Sequence, residues 1–155
     1  MSGEIPILIP SPYYTLIETT RGSDPAIVVV NSALRTFANR NNFPWHLSIQ
    51  ISCRTLGANG MPTAAESTIL VELEDAISSH VLAAANSVFL ARVTCKGTRE
   101  LKYRVHDPEI TNTPLERMTS EPEPLREWEY RIEHDPTWKL ADAELRLLEH
   151  DPRIN

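Results

Sequence analysis

The tripeptide His-Asp-Pro occurs three times in the last third of the chain, at 106–108, 134–136 and 150–152. Imidazole and carboxylate together ligate divalent ions, and a carboxylate-oriented imidazole is the base of many hydrolases. Both uses require the side chains to converge. Here His106-Asp107 ends one strand pattern and His134-Asp135 ends another. In the fold read below, those strands are expected to leave opposite ends of a sheet. Asp-Pro is also a common terminator of strands and helices, so turns are favoured over a shared metal site. A small hydrolase built on His106 and Asp107, or on His134 and Asp135, stays open as one reading.

Other reactive side chains point away from catalysis. Glu72, Glu74 and Asp75 crowd one helical stretch, but consecutive helix positions radiate rather than converge, and a solvated flank is expected. His80 lies beside the apolar stripe of the same stretch. Cys53 and Cys95 each fall on the apolar phase of a strand and read as reduced core thiols without a neighbouring imidazole. Gly57 and Gly60 lack the pattern of a phosphate loop. No catalytic residue, metal or cofactor is therefore expected.

The elements that carry these residues show in their periodicities. Residues 1–12 hold three prolines and read as an extended arm; residues 13–155 read as a single α+β domain. Residues 13–20 and 26–34 read as a hairpin across Arg21-Gly22-Ser23-Asp24-Pro25. Residues 45–54 alternate: Trp45, Leu47, Ile49, Ile51 and Cys53 face one way, the polar residues the other. A helix follows from Thr63, which with Glu66 spells a capping box, and its stripe is Leu70, Leu73, Ile77, Val81 and Ala84. Residues 88–95 and 100–106 read as a hairpin around Gly97, with Phe89, Ala91, Val93 and Cys95 on one face. A short helix is expected from Thr113 and Pro114 to residue 121, a strand over 127–133, and a terminal helix through Trp138, Ala141, Leu145 and Leu148.

This order, βαββαβ from residue 43 to 137, implies a ferredoxin-like antiparallel sheet with helices on one face. The N-terminal hairpin and C-terminal helix extend it. Strands 45–54 and 99–106 would be central, and 88–95 would be an exposed edge open to a second copy or a partner strand. The other sheet face would display Gln50, Ser52, Arg54, Glu100, Lys102, Arg104, Glu129, Arg131 and Glu133. Sheets of this shape that bind RNA stack bases on aromatic rings, and every aromatic of these strands is on the opposite phase.

The 155 residues carry a net charge of −6, which argues against nucleic-acid phosphate and for a basic protein partner. No run of residues is long and apolar enough for a membrane span, and the start, Met1-Ser2-Gly3-Glu4, lacks a basic leader, so a cytoplasmic location is expected.

Several short motifs recur in a familiar order: Phe43-Pro44-Trp45, Asn59-Gly60-Met61-Pro62-Thr63 with Glu66, Leu73-Glu74-Asp75, Gly97-Thr98-Arg99-Glu100 with Tyr103, and Tyr130 with Asp135-Pro136-Thr137-Trp138. Together, over residues 14–148, they resemble the bacterial domain-of-unknown-function family 695. That resemblance brings no catalytic residues with it. It implies kinship in architecture with a ribonuclease-regulator domain, and small acidic proteins of such families occur as immunity proteins beside bacterial toxins. The expectation is a non-enzymatic binding module, an immunity protein or inhibitor that occludes a toxin. Its contacts would be Glu100, Glu127, Glu129 and Glu133. A regulator of an RNA-processing enzyme is the alternative.

Overall fold

The computed structural model describes residues 9–150. Residues 1–8 of the expected arm and Asp151-Pro152 of the third His-Asp-Pro lie outside them. Six strands form one antiparallel sheet in the order β1-β2-β4-β5-β3-β6. They are β1 (Tyr14–Arg21), β2 (Asp24–Asn31), β3 (Trp45–Ser52), β4 (Ser87–Cys95), β5 (Thr98–Val105) and β6 (Trp128–His134). Three helices join them: α1 (Ala64–Val81), α2 (Pro108–Thr119) and α3 (Asp142–Glu149). The mixed α+β class is as the periodicities imply. The six-strand order is not that of a four-stranded ferredoxin-like sheet, because the N-terminal hairpin joins edge to edge: β2 pairs with β4 from Ala26↔Cys95 to Val30↔Ala91.

That pairing corrects the expected edge. β4 lies in the interior between β2 and β5, and the open edges are β1 and β6. An interior position suits its composition, since eight apolar or small residues in a nine-residue strand can be buried on both sides.

Helices cover both faces, not one. On the first face, α1 and α2 close a core of Leu47, Ile49, Ile51, Leu70, Leu73, Ile77, Phe89, Leu101, Tyr103 and Leu115. On the second, α3 and the 3-10 turn Ser32–Thr36 close a core of Val28, Val30, Leu34, Phe43, Leu90, Val93, Trp138, Leu145 and Leu148. One strand can feed both cores because a β-bulge interrupts the β4–β5 register between Phe89 and Ala91. Phe89 stands opposite Tyr103, but Ala91 stands opposite Lys102. The bulge therefore puts Ala91 and Val93 on the face opposite Phe89, against the single phase expected from alternation.

Two helix starts also follow local chemistry. Thr63 Oγ1 accepts the Glu66 N–H at 3.2 Å and caps α1, but the Glu66 carboxylate does not reach back to close the box. It is buried and accepts two bonds from Arg126, at 2.7 and 2.5 Å, and one from the Arg54 N–H at 2.8 Å. Helix α2 begins at Pro108, not at Pro114: Asp107 caps it through the Glu109 N–H, and Pro108 supplies the preset first residue.

Candidate functional site

On the second face, beside α3, the register sets polar residues of β5, β3 and β6 side by side in rows. Arg104 stands opposite His46 and Glu133 opposite His46 from the other side. The next row is Lys102, Ser48, Arg131, and the next Glu100, Gln50, Glu129. Period-two alternation puts all nine on one side, and eight of them line a polar depression of about 480 Å³ whose rim includes Leu140; the ninth, Arg104, is fully buried.

The depth of these groups differs. Arg104 Nη1 donates to Asp135 Oδ2 at 2.8 Å and Nη2 to the Asp135 carbonyl at 2.6 Å; both ends also reach toward the Phe43 carbonyl or His46. Its guanidinium lies 4.6 Å from the centre of the Trp138 ring. Burial raises the cost of charging Asp135, yet the Arg104 bond and the Leu140 N–H hold its carboxyl below the ordinary range. His46 is buried and is pushed down to about 4, first by burial and then by the Arg104 and Lys102 charges. Since a guanidinium can only donate, His46 Nδ1 accepts from Arg104 and the ring is neutral.

Lys102 bonds Glu144 of α3, with Glu100 3.9 Å away on its other side. Ser48 Oγ donates to Glu100 Oε2 at 2.6 Å. Arg131 pairs with Glu133 at 2.9 Å on the exposed rim. The structure thus brings Glu100, Glu129 and Glu133 to one depression, while Glu127 sits beyond it on the same phase, exposed, its carbonyl accepting the Ser52 N–H at 2.9 Å.

The His-Asp-Pro sites are placed differently from the expectation. Trp45 stands opposite both Val105 and His134, so β5 and β6 leave the same end of the sheet. They run parallel to each other because both pair antiparallel with β3. The side chains are engaged separately even so. Asp107 caps α2, and His106 Nδ1 donates to the Asn42 carbonyl at 2.6 Å. Asp135 holds Arg104, and His134 packs 4.7 Å from the Trp45 ring. Among the described residues, no group of three His, Cys, Asp or Glu side chains could hold a metal ion.

The buried members of the site are what periodicity misses. Glu144 does carry a signal: with Ala141, Leu145 and Leu148 it completes the i, i+3, i+4, i+7 stripe of the last helix, so it points inward. Glu74 likewise is not a solvated flank residue. It is buried, and both its oxygens accept from Arg92, each at 2.7 Å. Cys53 and Cys95 are free thiols and half-buried rather than sealed in the core. No helix among the described residues is long and apolar enough to cross a membrane.

Residues 16–142 match the model of a family described as "Family of unknown function (DUF695)", and the chain belongs to that family. No curated protein and no solved structure matches it.

Proposed function

We propose that this family member is a non-enzymatic, cytoplasmic protein-binding module that neutralises a basic partner, a toxin or nuclease, by covering it. The carrying observation is an imbalance of charge around the polar depression of the second face. Lys102, Arg104 and Arg131 each have a carboxylate partner within the chain. Glu127 and Glu129 enter no salt bridge among the described residues; Glu129 stands on the edge strand β6 and Glu127 immediately before it. Their charge is left to act outward, and opposite charge on a partner speeds and selects encounter. The backbone of β6 also offers an unpaired strand edge to a partner. The buried pairs beneath hold the face rigid, which lowers the entropy lost on docking.

We read the β3–α1–β4–β5–α2–β6 segment as a ferredoxin-like unit inside the larger sheet. Its four strands stand together in the order β4-β5-β3-β6, which supports that reading.

The test is affinity purification of the tagged full chain from its source cells, then titration of the recovered partner. One basic partner at equal stoichiometry is expected. Joint Glu127→Lys and Glu129→Lys substitution should weaken it by about tenfold or more while the melting temperature holds. Equal affinity of the variant overturns this surface, and copurification of nothing at low salt overturns the binding-module reading.

A further inference from the structure

The first face, away from the acidic depression, contains a second cavity of about 240 Å³. Leu16, Ile27, Val29, Met61 and Pro62 wall it with apolar surface, and Arg99, Arg92, Thr94 and Ser67 supply its polar groups. Arg99 is 9% exposed. Its Nε donates to Thr94 Oγ1 at 3.1 Å, and no carboxylate among the described residues pairs with it. Glu74, the carboxylate whose charge acts on it, has both oxygens committed to Arg92. The single sealed side-chain atom lacking a partner among the described residues is Glu144 Oε2, so the Arg99 Nη groups keep accessible surface, which the cavity supplies. Burial and the neighbouring Arg92 both disfavour the Arg99 charge. A guanidinium does not shed its proton to escape that cost; it takes an anion.

We propose that this cavity binds a small organic monocarboxylate, its carboxylate on Arg99 and its aliphatic or aromatic body against Ile27, Val29 and Met61. One uncommitted guanidinium matches one negative charge, and five apolar walls disfavour a hydrated phosphate dianion. The volume, at the small end for ligand sites, suits a body of a few carbons.

The experiment is NMR titration of the full chain with hexanoate, read at the methyl groups of Ile27, Val29 and Met61. Hexan-1-ol, hexylamine and inorganic phosphate are the controls. Saturable hexanoate shifts with Kd near ~1 mM or tighter are expected, with the controls at least about tenfold weaker. Arg99→Gln should weaken hexanoate by about tenfold or more and spare the fold, since it removes a buried charge with no carboxylate partner. Val29→Phe, which fills the cavity without touching the charge, should weaken it too. An acetylated peptide ending in leucine and its amide separate the two sources of the carboxylate: tighter binding of the peptide acid alone assigns it to a chain terminus, tighter binding of hexanoate to a free acid. Hexanol binding as well as hexanoate, no saturation by about 10 mM, or full affinity in both variants would overturn the site.

Discussion

Arg104 grips Asp135 by both side chain and backbone: Nη1 meets Oδ2 at 2.8 Å and Nη2 meets the carbonyl oxygen at 2.6 Å. The two residues belong to the interior strand β5 and to the turn after the edge strand β6. One side chain therefore fixes where the chain leaves the sheet and starts toward α3. Trp138, three residues on, is fully buried at φ +62, a conformation uncommon for a bulky residue. Its Nε1 bonds to the Arg40 and Phe43 carbonyls, at 3.0 and 3.1 Å, help hold it there.

Asp135→Ala should accordingly cost about 3–5 kcal/mol in urea unfolding, because it leaves Arg104 charged and buried. Asp135→Asn, which keeps the backbone contact and an acceptor oxygen, should cost less. Equal, small losses in both would show that the pair does not anchor the turn.

His46 gives the protein a pH dependence of definite sign. Its folded value is about 4 against 6.5 for an ordinary histidine. Between these the unfolded chain binds the proton and the folded one does not, so stability rises with pH from about 4 to 6.5. His46→Gln should flatten that limb of the stability profile, measured by urea midpoints at each pH.

Glu66 acts at lower pH. The Arg126 bonds, outweighing burial, hold its carboxyl at about 2 against the ordinary 4.5. Its folded value is depressed, so its contribution is complete above about 4.5 and fades as pH falls toward 2. Glu66→Gln should shrink the loss between those pH values, and Arg126→Met should do the same with a larger loss at neutral pH, since the glutamate stays buried and alone.

The β4–β5 turn stores a smaller strain. Lys96 has φ +50 and Gly97 φ +77, the two left-handed residues of a tight hairpin. Lys96→Asn should raise stability by about 0.5 kcal/mol, as asparagine tolerates that conformation better, and the exposed 3.8 Å Lys96–Asp24 pair contributes little. An unchanged or lower melting temperature would count against this.

The elements most legible from sequence were those with unbroken periods. β3 and β6 alternate cleanly, and Trp128, Tyr130 and Ile132 pack on the α1–α2 core as their phase implies. The apolar residues Trp138, Ala141, Leu145 and Leu148 likewise meet their core, but the helix expected to run through all four begins only at Asp142, after a left-handed Trp138 and a 3-10 turn. Three things were hidden for stated reasons. The bulge beside Leu90 changes phase without any turn residue to mark it. The start of α2 competed between two proline sites, each preceded by a capping residue, and it is Asp107 that caps the helix while Thr113 lies inside it. Partnered charges such as Glu66, Glu74, Lys102 and Arg104 look like solvated ones until the partner, often tens of residues away, is placed.

The bulge also joins the molecule's two polar centres. Were Leu90 taken into a regular β4 register, Arg92 and Thr94 would turn toward α3, and Glu74 and Arg99 would lose the groups they meet. It is instead an extra residue held out of the ladder, so deletion of Leu90 would leave Phe89 opposite Tyr103 and Ala91 opposite Lys102 in a regular pairing, with Arg92 and Thr94 still facing Glu74 and Arg99.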